Sequence, residues 1–361
     1  MKTITFIDEK TGRQIQQLTS SPFISHPSYF LQSSFFAEDR AIFFVSYRSG
    51  SAQIFLKNYP DGPAQQLTHG NAVHPFSPAL HPDQKRIIFT RGNALWSINV
   101  DTAQDALIAS FEGAQLGEPS ISADGEWLTA AFKRGSENGL VVVRTDGTGA
   151  NTILFPRTVI HPQFHPMEKD WIEFSGDPAP RMHRVRRDGS GLECLYQHGN
   201  DEFIVHETFL GKTGDIVFTV WPQKVCVMDW TSRNIRTVCD YNAWHIAPNR
   251  QGTKVLCDTN HPDEGLQIID VATGNREMVC ESKSSNQGSQ WKTSRYALAE
   301  DFAAARSAAK SGENLSWMET ATDTVYGPQW THPHPSWSTD ESKVIFASDR
   351  TGVTQVYVCQ L

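Results

Sequence analysis

The 361-residue chain carries little that would send it through or onto a membrane. Its N-terminal stretch, MKTITFIDEKTGRQ, holds no apolar run fit to act as a signal peptide. No segment approaches the roughly eighteen apolar residues of a membrane span. Both absences predict a cytoplasmic protein with no membrane partner. Cysteine is scarce, six residues with no C-x-x-C pair, and several fall in strand-like runs (KVCVMDW, TKVLCD, VYVCQ). They read as reduced, mostly buried small residues. Positive charge is in deficit, with a formal net charge of -8, which argues against nucleic acid as a partner. An anionic substrate stays open, because a local cationic site can sit in an acidic protein. No G-x-S-x-G elbow followed by a hydrolase segment is present, which argues against a serine hydrolase.

What is present is ordinary globular composition, 39% hydrophobic and 20% charged, and a repeat. A turn bearing Asp or Gly followed by a short apolar strand recurs as FFAEDRAIFFVS, LHPDQKRIIFTR, ISADGEWLTAAF, FHPMEKDWIEFSG, FLGKTGDIVFTV, APNRQGTKVLCD and WSTDESKVIFASD. The residues just past these turns are Arg40, Lys85, Gly125, Asp170, Gly214, Gly252 and Ser342, with successive gaps of 45, 40, 45, 44, 38 and 90. Most copies are followed by a strand, a Gly- or Asp-bearing turn and a second strand, as in LVVVRTDGTGANTILF and LQIIDVATGNREMVC. Glycine there supplies the positive φ that tight hairpins require. Two hairpins per period make a four-stranded blade, and radial repetition of blades makes a β-propeller. The sequence therefore predicts an all-β, seven-bladed propeller forming one domain over residues 1–361. The segment 3–19 has the hairpin half of a blade, and the last blade lacks its final strand. The N-terminal strand is thus expected to close the ring. The long final gap is read as an insertion over 281–327, with a short helix in RYALAEDFAAARSAAKSG (295–312), rich in Ala, Leu, Glu and Lys and ended by Gly.

The histidines follow the repeat. Of 13, eight stand a few residues ahead of an inner strand, before a blade turn: His26, His74, His161, His165, His206, His245, His332 and His334. Only the third blade lacks one. A ring of imidazoles around one mouth of the channel is expected, ahead of each inner strand. His332 and His334 are spaced to point the same way from an extended chain. Joined by His245 and the carbonyl of Gln329, they offer three nitrogens and one oxygen. That set suits Mn2+ or another divalent transition metal better than a closed structural zinc site. A bland reading stands beside each candidate. The H-x-H pair could pack at a turn, and His206 could be a satisfied core histidine. Arg181 could be a solvated surface arginine in a run with Arg184, Arg186 and Arg187.

The motifs TGRQIQQLT, SHPSYFLQSSF, VIHPQFHP, APRMHRV, VHETF and QWTHPHPSWSTDESKVIFASD give the chain a family likeness. It resembles the oligogalacturonate lyases of polysaccharide lyase family twenty-two, which are seven-bladed propellers. The resemblance implies metal ligands at His245, Gln329, His332 and His334, with Mn2+ the usual ion. It implies the Brønsted base at His206 and a substrate-binding arginine at Arg181. His26, Tyr29 and His161 match positions lining the same cleft. The activity implied is β-elimination on short oligogalacturonides, leaving a 4,5-unsaturated uronate. The alternatives are a lyase for a different oligouronide and a non-catalytic carbohydrate- or protein-binding propeller, since fold alone does not give function.

Overall fold

Seven antiparallel sheets arranged as blades account for all the strands of the computed structural model, which describes residues 3–259, 262–286 and 329–361. Blade 5 is representative: Ile204–Phe209, Ile216–Val220, Lys224–Met228 and Ile235–Cys239 pair in chain order, each antiparallel to the next. Blades 2, 3, 4 and 6 repeat this order, and blade 1 adds a short strand, Phe35–Phe36, against Ala41–Ser46. Blade 7 is built from both ends of the chain. Ser336–Trp337, Lys343–Ser348 and Gln355–Gln360 supply its inner strands. Gln14–Gln17 pairs antiparallel with the last of these, Ile15 opposite Cys359, and Ile4–Ile7 pairs outside it. The expected helix over 295–312 lies outside the described residues. No helix of the described residues is long and apolar enough to cross a membrane.

The cores lie between blades, not within them. Successive side chains of a strand point to opposite faces, so each second strand serves two interfaces. In blade 5, Phe218 packs toward blade 4 with Trp171 and Met182, while Val217 packs toward blade 6 with Val255 and Ile246. In blade 3, Ala130 faces blade 2 and Ala131 faces blade 4. Blade 7 obeys the same rule. Phe346 joins Leu256 and Ile268 of blade 6, and Ile345 joins Phe44 and Phe55 of blade 1. This alternation turns a period-two sequence pattern into a ring. The first strands of the blades are thereby held facing one another, and the candidate site is on them.

Candidate active site

The first strands of blades 3 to 6 share one irregularity. Their register against the second strand slips between Leu116 and Pro119, Ile160 and Gln163, Val205 and Thr208, and Ala243 and Ile246. At each slip two residues oppose one, which is a β-bulge. The bulged pairs are Gly117–Glu118, His161–Pro162, His206–Glu207 and Trp244–His245. His161 and His206 sit at φ 52° and 57°, a left-handed conformation that costs on the order of 1 kcal/mol for a residue with a Cβ. The bulge breaks the simple in–out alternation and re-aims these side chains. The histidines were expected ahead of the inner strands. His26, His161, His206 and His245 instead lie within the first strands, and the repeated turns lead into the second.

Six of the eight histidines converge. His245, His332 and His334 are all buried, and one ligand nitrogen from each lies within 4.8 Å of the others. The rings of His245 and His334 are 4.1 Å apart between centroids. His332 and His334 do not converge by strand alternation as expected. They follow a 3-10 turn, Gln329–Thr331, in irregular chain, and His334 adopts φ 43°. Pro333 and Pro335 have no amide to give to a ladder, and among the described residues only the Pro333 carbonyl takes part in one, accepting from the Ala347 amide at 2.8 Å. The Gln329 side chain lies outside the described residues. Asp258, on the second strand of blade 6, accepts from the His245 amide at 2.8 Å and meets Nδ1 of its ring at 2.7 Å. A neutral His245 donating from Nδ1 keeps its Nε2 lone pair for a ligand role. Nε2 of His245 and Nε2 of His334 are buried with no hydrogen-bond partner among the described residues. Such atoms are costly unless satisfied. Converging neutral imidazole nitrogens are a set that a divalent transition metal would satisfy.

Burial dominates the electrostatics. It pulls the His26 and His161 imidazoles down to about 4, and those of His206, His245 and His334 well below the ordinary value. All are neutral at neutral pH. Burial also pushes the Asp258 carboxyl up to about 7.

His206 stands next to this group, its ring 4.6 Å from His245, 6.1 Å from His161 and edge-on to Trp244 at 4.5 Å. Its neighbour Glu207 turns to Arg181 instead. Arg181 Nε donates to Glu207 Oε1 at 2.9 Å and Nη2 to Oε2 at 3.3 Å, with Asp177 at 3.7 Å. Arg181 is 3% exposed and Glu207 fully buried, so the solvated-arginine reading fails. Arg184 and Arg186 do lie apart from the site, stacked over Trp171. Burial opposes the Glu207 charge, but Arg181, its own amide and Ser175 hold the carboxyl down at about 2.

Tyr29 and Phe30 cover the cluster. The Tyr29 hydroxyl is 3.0 Å from His161 Nε2, and its ring lies 5.0 Å from His334. Phe30 faces both His206 and His245 at just over 5 Å. His26 holds Pro27 O through Nδ1 and stacks near Phe76. Two histidines of the expected ring have other partners. His165 accepts the amides of Met167 and Glu168 in a turn and packs on Trp230. His74 accepts the Phe76 amide in the loop before blade 2. Sequence reasoning passed over Glu118, Asp258, Phe30 and Phe76. Glu118 alone had a signal, since it stands seven residues before its blade turn at Gly125, the interval of His245 to Gly252.

No protein-family model matches the chain. The oligogalacturonide lyase of Pectobacterium atrosepticum is 21% identical over 410 residues, covering 99% of this chain and 95% of that protein. The oligogalacturonate lyase of Dickeya dadantii is 21% identical over 405 residues with the same coverage. A solved oligogalacturonate lyase in complex with manganese superposes with a TM-score of 0.82 at 18% identity, covering all of this chain and 96% of that one. The oligogalacturonate lyase structure from Vibrio parahaemolyticus gives 0.80 at 18% identity, covering all of this chain and 97% of that one. From end to end, in sequence and in propeller fold, this chain is similar to proteins named as oligogalacturonate lyases.

Proposed function

We propose that this protein is a metal-dependent lyase that cleaves short oligogalacturonides by β-elimination, leaving a 4,5-unsaturated uronate on one product. The observation that carries the reading is the buried group His245, His332 and His334 beside His206 and the Arg181–Glu207 pair. It occurs in a chain similar throughout to proteins named as such lyases. The three histidines, with Gln329, would hold a divalent ion, for which Mn2+ is the first choice. Bound there, the ion supplies Lewis-acid stabilisation of charge developing on a substrate carboxylate.

The remaining work falls to the protein's own groups. His206, neutral because it is buried, accepts the proton at C5 of the uronate. A protonated histidine could not do so. Arg181 orients the uronate carboxylate through guanidinium N–H donors. Its pairing with Glu207 makes it a positioned donor more than a net positive charge. His26, Tyr29 and His161 line the cleft and contact the sugar, with Tyr29 and His161 acting as a hydrogen-bonded unit. Phe30 and Phe76 exclude water from the reacting atoms. We take the protein to be cytoplasmic, acting on oligouronides of a few units, with neither nucleic acid nor membrane as partner.

The test is incubation of the manganese-loaded protein with digalacturonate, read by the ultraviolet absorbance of the conjugated product. His206→Ala should keep its manganese and lose about 10²–10⁴-fold in kcat. Product from other oligouronides but not from digalacturonate would reassign the substrate. Silence across the whole panel would leave a carbohydrate-binding propeller. Retained turnover in His206→Ala would remove His206 as the base.

A further inference from the structure

Blade 3 is the one blade whose turn is not preceded by a histidine. Its bulge carries Glu118 instead, in the register slot that Glu207 and His245 fill in blades 5 and 6. Glu118 is 6% exposed, and its Oε2 is buried with no hydrogen-bond partner among the described residues. It lines a small cavity together with Tyr29, Phe76, His161 and Gln163. Arg181 of blade 4 and Glu207 of blade 5 pair with each other, and no ion pair to Glu118 is found among the described residues. A buried carboxyl facing a cavity without a cation holds its proton more readily than an exposed one and can serve as a hydrogen donor. Desolvation accordingly pushes it up to about 7.

The elimination leaves one proton unaccounted for. In galacturonate the C5 hydrogen and the C4 oxygen lie on opposite faces of the ring. A base that takes the first cannot also serve the second from the same position. The geometry points to Glu118 as the proton donor to the departing C4 oxygen, a role that rests on the lyase reading above. The C5–H bond breaks toward His206 and its electron pair forms the C4–C5 double bond. The C4–O bond breaks with its pair left on oxygen, and the Glu118 carboxyl proton moves to that oxygen. Glu118 ends as carboxylate and His206 as imidazolium, and exchange with water restores both. Glu118 and His206 stand on blades 3 and 5, on either side of His161 of blade 4.

The experiment uses Glu118→Gln in the full-length, manganese-loaded protein, which keeps the shape but has no acidic proton. On digalacturonate, kcat should fall about 10²–10⁴-fold with KM and manganese content little changed. The second measurement uses a series of 4-O-substituted galacturonates, all cleaved by the wild type, whose leaving hydroxyls grow more acidic. Glu118→Gln should approach the wild-type rate as the leaving group ceases to need a proton. An equal loss across the series would make Glu118 a positioning residue, and no loss would dismiss it; either overturns the assignment. If the wild type itself cleaves nothing, the lyase reading has failed, a result distinct from any failure confined to the variant.

Discussion

Asp258→Asn isolates a single proton in the candidate metal centre. Asp258 is an acceptor at both oxygens, from the His245 amide at 2.8 Å and opposite ring Nδ1 at 2.7 Å, with the His334 amide a further donor to the carboxylate, and neither Asp258 nor His245 is more than 1% exposed. Asparagine has one oxygen and one NH2 in that place. The His245 amide can only donate, so it claims the oxygen. The NH2 then faces Nδ1, which must become an acceptor. The ring proton is driven to Nε2, the nitrogen that faces the other imidazoles. Manganese affinity should fall about 10- to 100-fold, or roughly 1.4–2.7 kcal/mol. Asp258→Ala removes the partner but lets the ring choose its tautomer. If the tautomer is the cause, the alanine variant should bind manganese better than the asparagine variant. Calorimetric titration of each folded variant with Mn2+ decides the matter, with urea midpoints controlling for stability. Wild-type affinity in Asp258→Asn would refute both the tautomer argument and the ligand role of His245.

Two further outcomes follow from buried charge. Glu207→Ala leaves the Arg181 guanidinium buried without its main partner, and should cost about 3–5 kcal/mol in urea unfolding. Arg181→Met combined with Glu207→Leu should recover most of that loss while staying inactive; an unchanged midpoint in the single variant would show the pair to be unimportant to the fold. The metal-free protein should also lose stability in acid. His26, His74 and His161 have folded values lowered from 6.5 to about 4. Between those values the unfolded chain binds more protons, so each contributes stability that is intact above pH 6.5 and lost toward pH 4, at about 1.4 kcal/mol per pH unit. Glu118 and Asp258, pushed up to about 7, and Glu173, Asp177 and Asp263, also raised by burial, run the other way, but His165, His183, His198, His206, His245 and His334 add to the histidine side. Urea midpoints that rise on acidification would contradict this balance.

The blades were legible because they are local. A turn, a period-two strand and a hairpin recur within each repeat, and their register needs no distant information. The convergence of His245, His332 and His334 was legible for the same reason, since position within a repeat maps to position in the ring. What the sequence hid depends on pairing across strands. Arg181 looks like Arg184 and Arg186 until Glu207, 26 residues on, is folded against it. Asp258 meets His245 only through a strand pair with a slipped register. His165 stands five residues before Asp170, against eight from His206 to Gly214, and its ring caps that turn. The dipeptides His81-Pro82 and His165-Pro166, which open the turns of blades 2 and 4, both behave so: Nδ1 of His81 accepts the Asp83 amide as Nδ1 of His165 accepts that of Met167. An interval in sequence gives the strand, but not which side of a turn a ring will seal.

The bulge explains how one backbone carries such different chemistry. A bulged residue is outside the regular ladder, so its side chain can change without breaking the strand pairing. Four successive blades present that slot, and it holds glutamate, histidine, histidine with glutamate, and histidine. Where the occupant is a neutral group aimed inward, as at Glu118, His161 and His206, its replacement should tell on function more than on folding. Where the occupant is a buried charge, as at Glu207, the fold has come to depend on it. The ring of seven inter-blade cores supplies the stability that lets three of these slots be set by chemistry alone.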